Sequence, residues 1–327
     1  MHLLIMGGTV FLGRTIVEAA LARGHTVTLF NRGQHNPELF PGIEKLRGDR
    51  RESLALLRDR RWDAVIDPSG YVPRVVRASA ELLADAVEHY TFISSVSVYA
   101  DEATPNQDEG ARVATIADET VETIDERTYG ALKALCEQAA ERAMPGRVLS
   151  VRAGLIVGPY DPTDRFTYWP HRIAQGGEVL APDSPACRTQ FIDVRDLAEW
   201  ILRMAEARQS GAYNATGPAE PVALGELFDT CKAESGSDAT FTWVPEDFLL
   251  AQGVQPWMEM PVWVPEKEAG IMHVSIAKAL AAGLTFRPPV ETVRATLDWD
   301  AARPPHDWRA GLKPEREREV LQALHSR

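Results

Sequence analysis

The chain has 327 residues, 45% hydrophobic and 25% charged. These proportions are ordinary for a soluble globular protein and allow one large domain or two intimate ones around a sizeable core. The net charge of −12 speaks against a nucleic-acid partner, whose phosphates need a basic face, and the scattered Cys136, Cys187 and Cys231 predict a reducing compartment and no zinc site. The apolar N-terminal run stops at Gly7-Gly8 with no basic segment before it, too short for a membrane span and unlike a signal peptide, so a cytoplasmic location is expected. "HLLIMGG" reads as a buried strand, "LGRTIVEAALARG" as a helix ended by Gly24, and "HTVTLFNRG" as a second strand. "WDAVIDPSG" is a third strand, "VVRASAELLADAVEH" a helix, "YTFISSVSVY" a strand, "YGALKALCEQAAERAM" a helix stopped by Pro145-Gly146, and "RVLSVRAGLIVGP" a strand. Strands alternating with helices predict a doubly wound parallel α/β sheet with helices on both faces.

After Gly158 the texture becomes rich in Pro and Trp and weakly periodic, interrupted by the helices "DLAEWILRMAEAR" and "LGELFDTCKAE". Asp196 is the expected N-cap of the first of these. "SIAKALAAGL" offers a Ser N-cap and a Gly stop, "ETVRATLDWDAAR" is amphipathic, and "PEREREVLQALHSR" is a charged tail helix. With no flexible linker, the chain divides into a nucleotide-binding part at 1–157, to which 187–215 and 290–302 return, a smaller mixed substrate-binding part at 158–186 and 216–289, and a helical tail at 303–327.

"MGGTVFLG" places Gly7, Gly8 and Gly13, with Thr9, Phe11 and Leu12 between them, at a strand-to-helix turn. There, bare backbone N–H groups can approach a pyrophosphate at a helix tip. An acid at the end of the second strand would hold both ribose hydroxyls of NAD. This chain has Asn31 and Arg32, an amide and a guanidinium that suit a 2′-phosphate, so NADP is expected ahead of NAD. Asp49 fits an adenine contact at a strand end, or a turn. In "RTYGALK" Tyr129 and Lys133 stand four apart on one helix face, and lysine is scarce in a chain with 29 Arg and 6 Lys. "VGPYDPTDRFTYW" gathers Arg165 and Tyr168 among acids and aromatics, as either a pocket wall with Arg165 or Arg172 facing an anion, or a packed loop with internal ion pairs.

These segments together resemble the short-chain dehydrogenase/reductase superfamily, in its extended or atypical branch. That group includes NAD-dependent nucleotide-sugar epimerases and dehydratases, isoflavone-reductase-like enzymes and related chloroplast RNA-binding proteins. The matching stretches are "GGTVFLG" at 7–13, "FISSVSVY" at 92–99, "YGALK" at 129–133, "VRAGLIVGP" at 151–159, "RTQFIDVRDLA" at 188–198 and "YNATGP" at 213–218, with the late "SIAKALAAGLTFRPPVETVRATLDW". The resemblance covers most of the chain. The glycine loop departs from GxxGxxG, and "PSGY" at 68–71, with Ser69 and Gly70 as cofactor contacts, replaces the usual Asn-Ala-Ala-Gly-like turn.

The resemblance implies Tyr129 as acid/base, Lys133 as the ribose-binding lysine that lowers the tyrosine pKa, and Ser95, four residues before Tyr99, as the hydrogen-bond donor to the substrate oxygen, with Ser94 the alternative. It also makes Arg188 the arginine that reaches a nucleotide diphosphate, and implies a homodimer through the helix bearing Tyr129. The expected activity is oxidoreduction of a carbonyl or alcohol on a small molecule with NADP or NAD. The alternatives are epimerisation with retained NAD and a catalytically inactive nucleotide- or RNA-binding relative. His171 and His273 show no metal-ligand spacing.

Overall fold

The computed structural model describes residues 1–326. Strand β1 (His2–Met6), helix α1 (Phe11–Ala22) and β2 (Thr26–Asn31) form the first βαβ unit, followed by β3 (Glu44–Arg47) and β4 (Ala64–Asp67). Next come α2 (Pro73–Leu83), β5 (His89–Ser95), α3 (Tyr129–Ala143) and β6 (Val148–Ala153). A short β7 (Leu155–Val157) leads to α4 (Tyr168–Ala174), β8 (Glu178–Pro182), β9 (Arg188–Thr189) and β10 (Phe191–Asp193). Helix α5 (Val194–Glu206) and β11 (Gly211–Ala215) precede β12 (Val222–Ala223), α6 (Leu224–Ser235), β13 (Thr240–Val244) and α7 (Glu246–Ala251). The chain closes with α8 (Ala277–Ala281), α9 (Pro289–Ala302) and α10 (Pro314–His325).

Seven strands form one sheet in the order β11-β6-β5-β4-β1-β2-β3, every neighbouring pair parallel. This is the doubly wound Rossmann arrangement expected from the alternation of strands and helices. Its two faces follow from the period of two along each strand. Leu3 and Ile5 of β1 enter the core shared with α1 and α5, whereas Leu4 and Met6 enter the core shared with α2 and α3. The winding reverses between β1 and β4, and in such sheets ligands bind in the crevice outside the carboxyl ends of the strands at that point.

A second core, built on Phe166, Trp169, Ile173, Phe228, Val244 and Trp263, holds the smaller part together. Its strands β8 and β13 pair in parallel. Of the eight tryptophans, Trp169, Trp200 and Trp263 are fully buried. Helix α9, expected to return to the first part, packs instead against α6 and α4 and places Val293 in the second core, keeping two ties to the first part: the Thr292 hydroxyl donates to Asp193 and the Glu291 carbonyl accepts from Arg195. Conversely Ala279 and Leu284, expected in the substrate-binding part, lie in the first core. The cap of α5 is Asp193, whose side chain accepts from the Arg195 N–H; Asp196, the expected cap, is bound instead by Arg287 at 2.8 Å. Helix α8 starts after Ile276 with no side-chain cap, so Ser275 does not serve there.

Candidate active site

A cavity of about 710 Å³ opens at the switch point, running from Asp49 and Arg51 past the glycine loop to Tyr129 and Lys133. Its floor is the turn from β1 into α1. Gly8 has φ +89°, and a Cβ there would lie 2.5 Å from the Leu29 side chain. A Cβ on Gly13 would lie 2.9 Å from the Gly8 nitrogen, so this glycine lets the first turn of α1 rest on the loop. Helix α1 has neither a side-chain cap nor an acid in its first turn, so its opening N–H groups are left for an anion. Gly7, Thr9, Phe11 and Leu12 line the same wall. A bare glycine cradle with an uncapped helix tip fits the diphosphate of a dinucleotide.

The two sides of the cavity near β2 and β4 are more constrained than the sequence suggests. The Asn31 amide donates to the Gly7 carbonyl at 2.7 Å, and its oxygen accepts from Gly33 N–H and from Arg47. Asn31 therefore braces the loop, while Arg32 is exposed on the cavity wall with no partner among the described residues. The Asp49 carboxylate also lines the cavity and accepts from the Arg51 N–H at 2.8 Å, so it serves as a turn residue. Under β4, Arg50 grips the fully buried Asp67 with two bonds of 2.8 Å and also reaches Ser69 and Ser79. Tyr90 donates to the same carboxylate at 2.7 Å. Burial alone would raise the Asp67 pKa, but the Arg50 charge and the hydrogen bonds hold it below the usual carboxylate value. Ser69 lines the cavity with its hydroxyl bonded to the Met6 carbonyl. Gly70 is buried behind it, where a Cβ would lie 2.6 Å from the Phe92 ring, and it offers its carbonyl to Lys133.

At the deep end, α3 starts flush against the turn after β5. A Cβ on Gly130 would fall 2.0 Å from the Ser97 carbonyl oxygen, so a glycine after Tyr129 is what permits that approach. The Tyr129 side chain shares the cavity wall with Ser95, and its ring centre lies 6.5 Å from that of Tyr71. Ser95 is buried and caps the following turn by accepting from the Ser97 N–H at 3.1 Å. The Ser94 hydroxyl, on the same wall, is buried with no hydrogen-bond partner.

Lys133 departs from expectation. Its ammonium donates to the Gly70 carbonyl at 2.8 Å and the Ile93 carbonyl at 2.5 Å, beneath the rings of Phe92 and Tyr71. Burial pushes its pKa down to about 8. The Tyr129 phenol is not depressed: burial pushes its pKa up, against the opposing pull of Ser95 and of the Arg165 charge. In the protein without cofactor, the cation that biases this phenol is thus Arg165 and not Lys133. Tyr71, which closes the aromatic wall over both residues, was not singled out by the sequence beyond its place in "PSGY"; an aromatic at the end of β4 was the available signal.

The remaining expected substrate residues scatter. Arg165 is half-buried beside Trp257; its loop neighbours Pro162 and Thr163 line the cavity, while Arg165 itself is not on the cavity wall. Tyr168 is buried against Trp169 and Trp308 in the second core and does not line the cavity. Arg188 is exposed, donates to the Pro221 carbonyl at 2.7 Å, and also lies off the cavity wall. Among the described residues there is no group of three His, Cys, Asp or Glu able to hold a metal ion, and no helix is long and apolar enough to cross a membrane.

Near Arg165, Asp161 is almost fully buried, and one carboxylate oxygen has no hydrogen-bond partner. That burial pushes its pKa up to about 6 from the ordinary 3.8. The folded state then holds a proton that the unfolded chain has lost, so stability is gained as pH falls through about 6 and lost as it rises. Asp161→Asn is expected to stabilise the protein by about 1–2 kcal/mol at pH 7 to 8 and to flatten the rise in melting temperature on acidification from about pH 6 to 4. An unchanged pH slope in thermal melts would refute this account of Asp161.

The fold is a doubly wound Rossmann sheet whose switch-point cavity is lined by the glycine loop at one end and by Tyr129, Ser95 and Lys133 at the other. The chain belongs to the NAD dependent epimerase/dehydratase family, whose model matches residues 3–216. It is therefore an enzyme of an NAD-dependent family, and a nicotinamide dinucleotide is its cofactor, as the resemblance implied. A chloroplast stem-loop binding protein of 41 kDa b from Arabidopsis thaliana is 28% identical over 236 residues, 66% of this chain and 58% of the relative, so the chain spans less than two thirds of that protein. A dTDP-6-deoxy-L-talose 4-dehydrogenase (NAD(P)(+)) from Kitasatospora kifunensis is 24% identical over 286 residues, 81% of this chain and 89% of the relative. Among solved structures, the Bordetella bronchiseptica enzyme WbmH in complex with NAD+ has a TM-score of 0.69 at 16% identity, covering 92% of this chain and 98% of that one. The UDP-glucose 4-epimerase of Thermus thermophilus in complex with NAD has a TM-score of 0.63 at 21% identity, covering 92% and 99%. At these identities the two structures speak to fold.

Proposed function

We propose that the protein is an NAD(P)-dependent oxidoreductase acting on a carbonyl or alcohol of a small molecule, with Tyr129 as acid/base. The observation that carries this reading is the placement of Tyr129 beside Ser95 in the same cavity whose far end is the glycine cradle. The cofactor, when bound, supplies or accepts the hydride. Gly7, Gly8, Gly13 and the first turn of α1 hold its diphosphate, and Ser69 lies beside that path. Tyr129 holds or releases the proton on the substrate oxygen, and Ser95 donates a hydrogen bond to that oxygen as negative charge develops. Lys133 would hold the nicotinamide ribose hydroxyls of the bound cofactor, and its positive charge near Tyr129 would then favour phenolate. The test is a thermal-shift screen of NAD+ and NADP+, followed by ketones and nucleotide sugars added to the preferred cofactor.

Arg32 supports NADP over NAD, because no carboxylate ends β2 and the amide of Asn31 is already spent on the loop. Arg32→Ala is expected to weaken NADPH about tenfold while leaving NADH nearly unchanged, as one charge-assisted phosphate contact is lost. Fluorescence titration reads both, and an equal loss would place the 2′-phosphate elsewhere.

Epimerisation with retained cofactor is the second reading, favoured by the family. Purified protein with tightly held cofactor supports it, whereas one-for-one consumption of added NADPH supports net reduction. The RNA-binding alternative, suggested by the name of the chloroplast relative, meets a net charge of −12, and a salt-sensitive RNA gel shift would revive it. A homodimer through α3 belongs to this proposal as well.

A further inference from the structure

The loop from Gly158 to Phe166 is fastened on three sides. Tyr160, at φ +72°, lies under the Arg14 guanidinium at 3.6 Å and 5.9 Å from the Trp299 ring. Asp161 accepts from the Thr163 N–H and hydroxyl. Asp164, buried and at φ +60°, accepts from Arg303 at 2.7 Å and from the Arg309 N–H at 3.0 Å. The backbone of this loop is therefore tied to α1 and to the segment from Arg303 to Arg309.

Arg165, carried by this loop, is the exception among its neighbours. Arg172 is paired with Glu317 at 2.7 Å, Arg303 with Asp164 at 2.7 Å, and Arg195 with Asp193 at 2.7 Å. Arg165 makes no ion pair among the described residues. Its side chain meets the Met258 sulfur at 3.8 Å and the Trp257 ring at 5.4 Å. A half-buried guanidinium without a carboxylate is costly to keep, and such a cost is sustained where a ligand supplies the missing charge. Pro162 and Thr163 of the same loop line the cavity together with Tyr129, which sets Arg165 next to that wall, and among the described residues no Asp or Glu lies within ion-pair distance of it.

We propose that Arg165 is a substrate-anchoring residue, and that the substrate carries a carboxylate close to the carbonyl or carbinol that Tyr129 serves. The inference rests on the oxidoreductase reading and narrows its substrate class. A carboxylate is chosen over a phosphate or diphosphate by charge alone: one uncommitted guanidinium offsets a single negative charge, whereas a phosphate or diphosphate carries more than it can balance, and the bidentate fork suits either anion. Arg188, the residue expected to meet a diphosphate, is spent on Pro221 and stands off the cavity. Trp257 and Met258 supply an apolar platform beside the fork, suited to a flat organic acid.

The test uses the full-length enzyme saturated with its preferred cofactor and calorimetric titration of matched pairs: benzoylformate against its methyl ester, 2-oxoglutarate against its dimethyl ester, and glucuronate against glucose, with glucose 6-phosphate as a separate arm. At least one acid is expected to bind about 10–100-fold more tightly than its neutral partner, the span of a charge-assisted bidentate pair. Arg165→Gln is expected to abolish that preference, Arg165→Lys to retain part of it, and Tyr129→Phe to retain all of it. No acid preferred over its neutral partner, or a preference that survives Arg165→Gln, overturns the proposal. A preference for glucose 6-phosphate over glucuronate that disappears in Arg165→Gln overturns the choice of carboxylate. If the glutamine variant does not fold, the lysine variant decides, since a full undiminished preference there contradicts bidentate pairing. Failure of either nicotinamide dinucleotide to bind sinks the oxidoreductase reading itself, whereas cofactor binding without acid preference sinks only the anchor.

Discussion

Tyr129→Phe is expected to bind the nicotinamide cofactor as tightly as the natural protein and to turn over about 10²–10⁴-fold more slowly, the usual contribution of a positioned acid/base. The change removes one hydroxyl. The ring keeps its place 6.5 Å from Tyr71, and Gly130 keeps the helix seated on the Ser97 carbonyl, so the cavity should be unaltered. Steady-state rates and a cofactor titration on the same preparation separate the two effects. Turnover within about threefold of the natural enzyme would remove Tyr129 from the proton transfer, since a general acid/base contributes far more than that. The rate should also respond to the state of Lys133. With its pKa pushed down to about 8, the ammonium is lost on mildly alkaline titration in the free protein. Cofactor binding that engages the ammonium would move this loss to higher pH.

The second large effect is on stability. Asp67→Ala is expected to destabilise the protein by about 3–5 kcal/mol, because it leaves the Arg50 guanidinium buried without its partner. Arg50 loses two bonds of 2.8 Å, and Tyr90 loses the acceptor for its hydroxyl. The Ser69 N–H, bonded to the same carboxylate at 3.0 Å, is released as well, so the cavity wall at the end of β4 should loosen and cofactor affinity fall. Replacing both partners, Arg50→Met with Asp67→Leu, should recover much of the stability, because an apolar pair leaves no unpaired charge. Denaturant unfolding of the two variants beside the natural protein measures this. A cost below about 1 kcal/mol for Asp67→Ala would mean that Arg50 finds water or another acceptor, and that the network is not what holds this wall.

Much of this molecule could be read along the chain. The glycine loop was legible because only glycine tolerates both the backbone angle at Gly8 and the close approach at Gly13. The doubly wound sheet was legible because buried parallel strands are short apolar runs separated by helical periodicity. The elements that escaped lie mainly in the second part: α4, which contains Pro170, and the short strands β8 and β13 carry too few residues to show a period. Their place is set by the Trp169 and Phe228 core that they enclose.

Sequence alone thus determined the alternation of strands and helices that makes a doubly wound sheet, the glycine turn after β1, and the spacing that sets Tyr129 and Lys133 on one face of α3, because each is written in residues within a few positions of one another. Tertiary structure alone decided which polar groups are free to act. Asn31 is consumed by the loop, Tyr168 by the second core and Arg188 by a backbone carbonyl. Arg172 is neutralised by a partner 145 residues away, and Asp164 by one 139 residues away, while Arg165 is left without an ion pair beside Met258 and Trp257. Charge pairing depends on distance in space, and no local pattern records which distant side chain will arrive within reach.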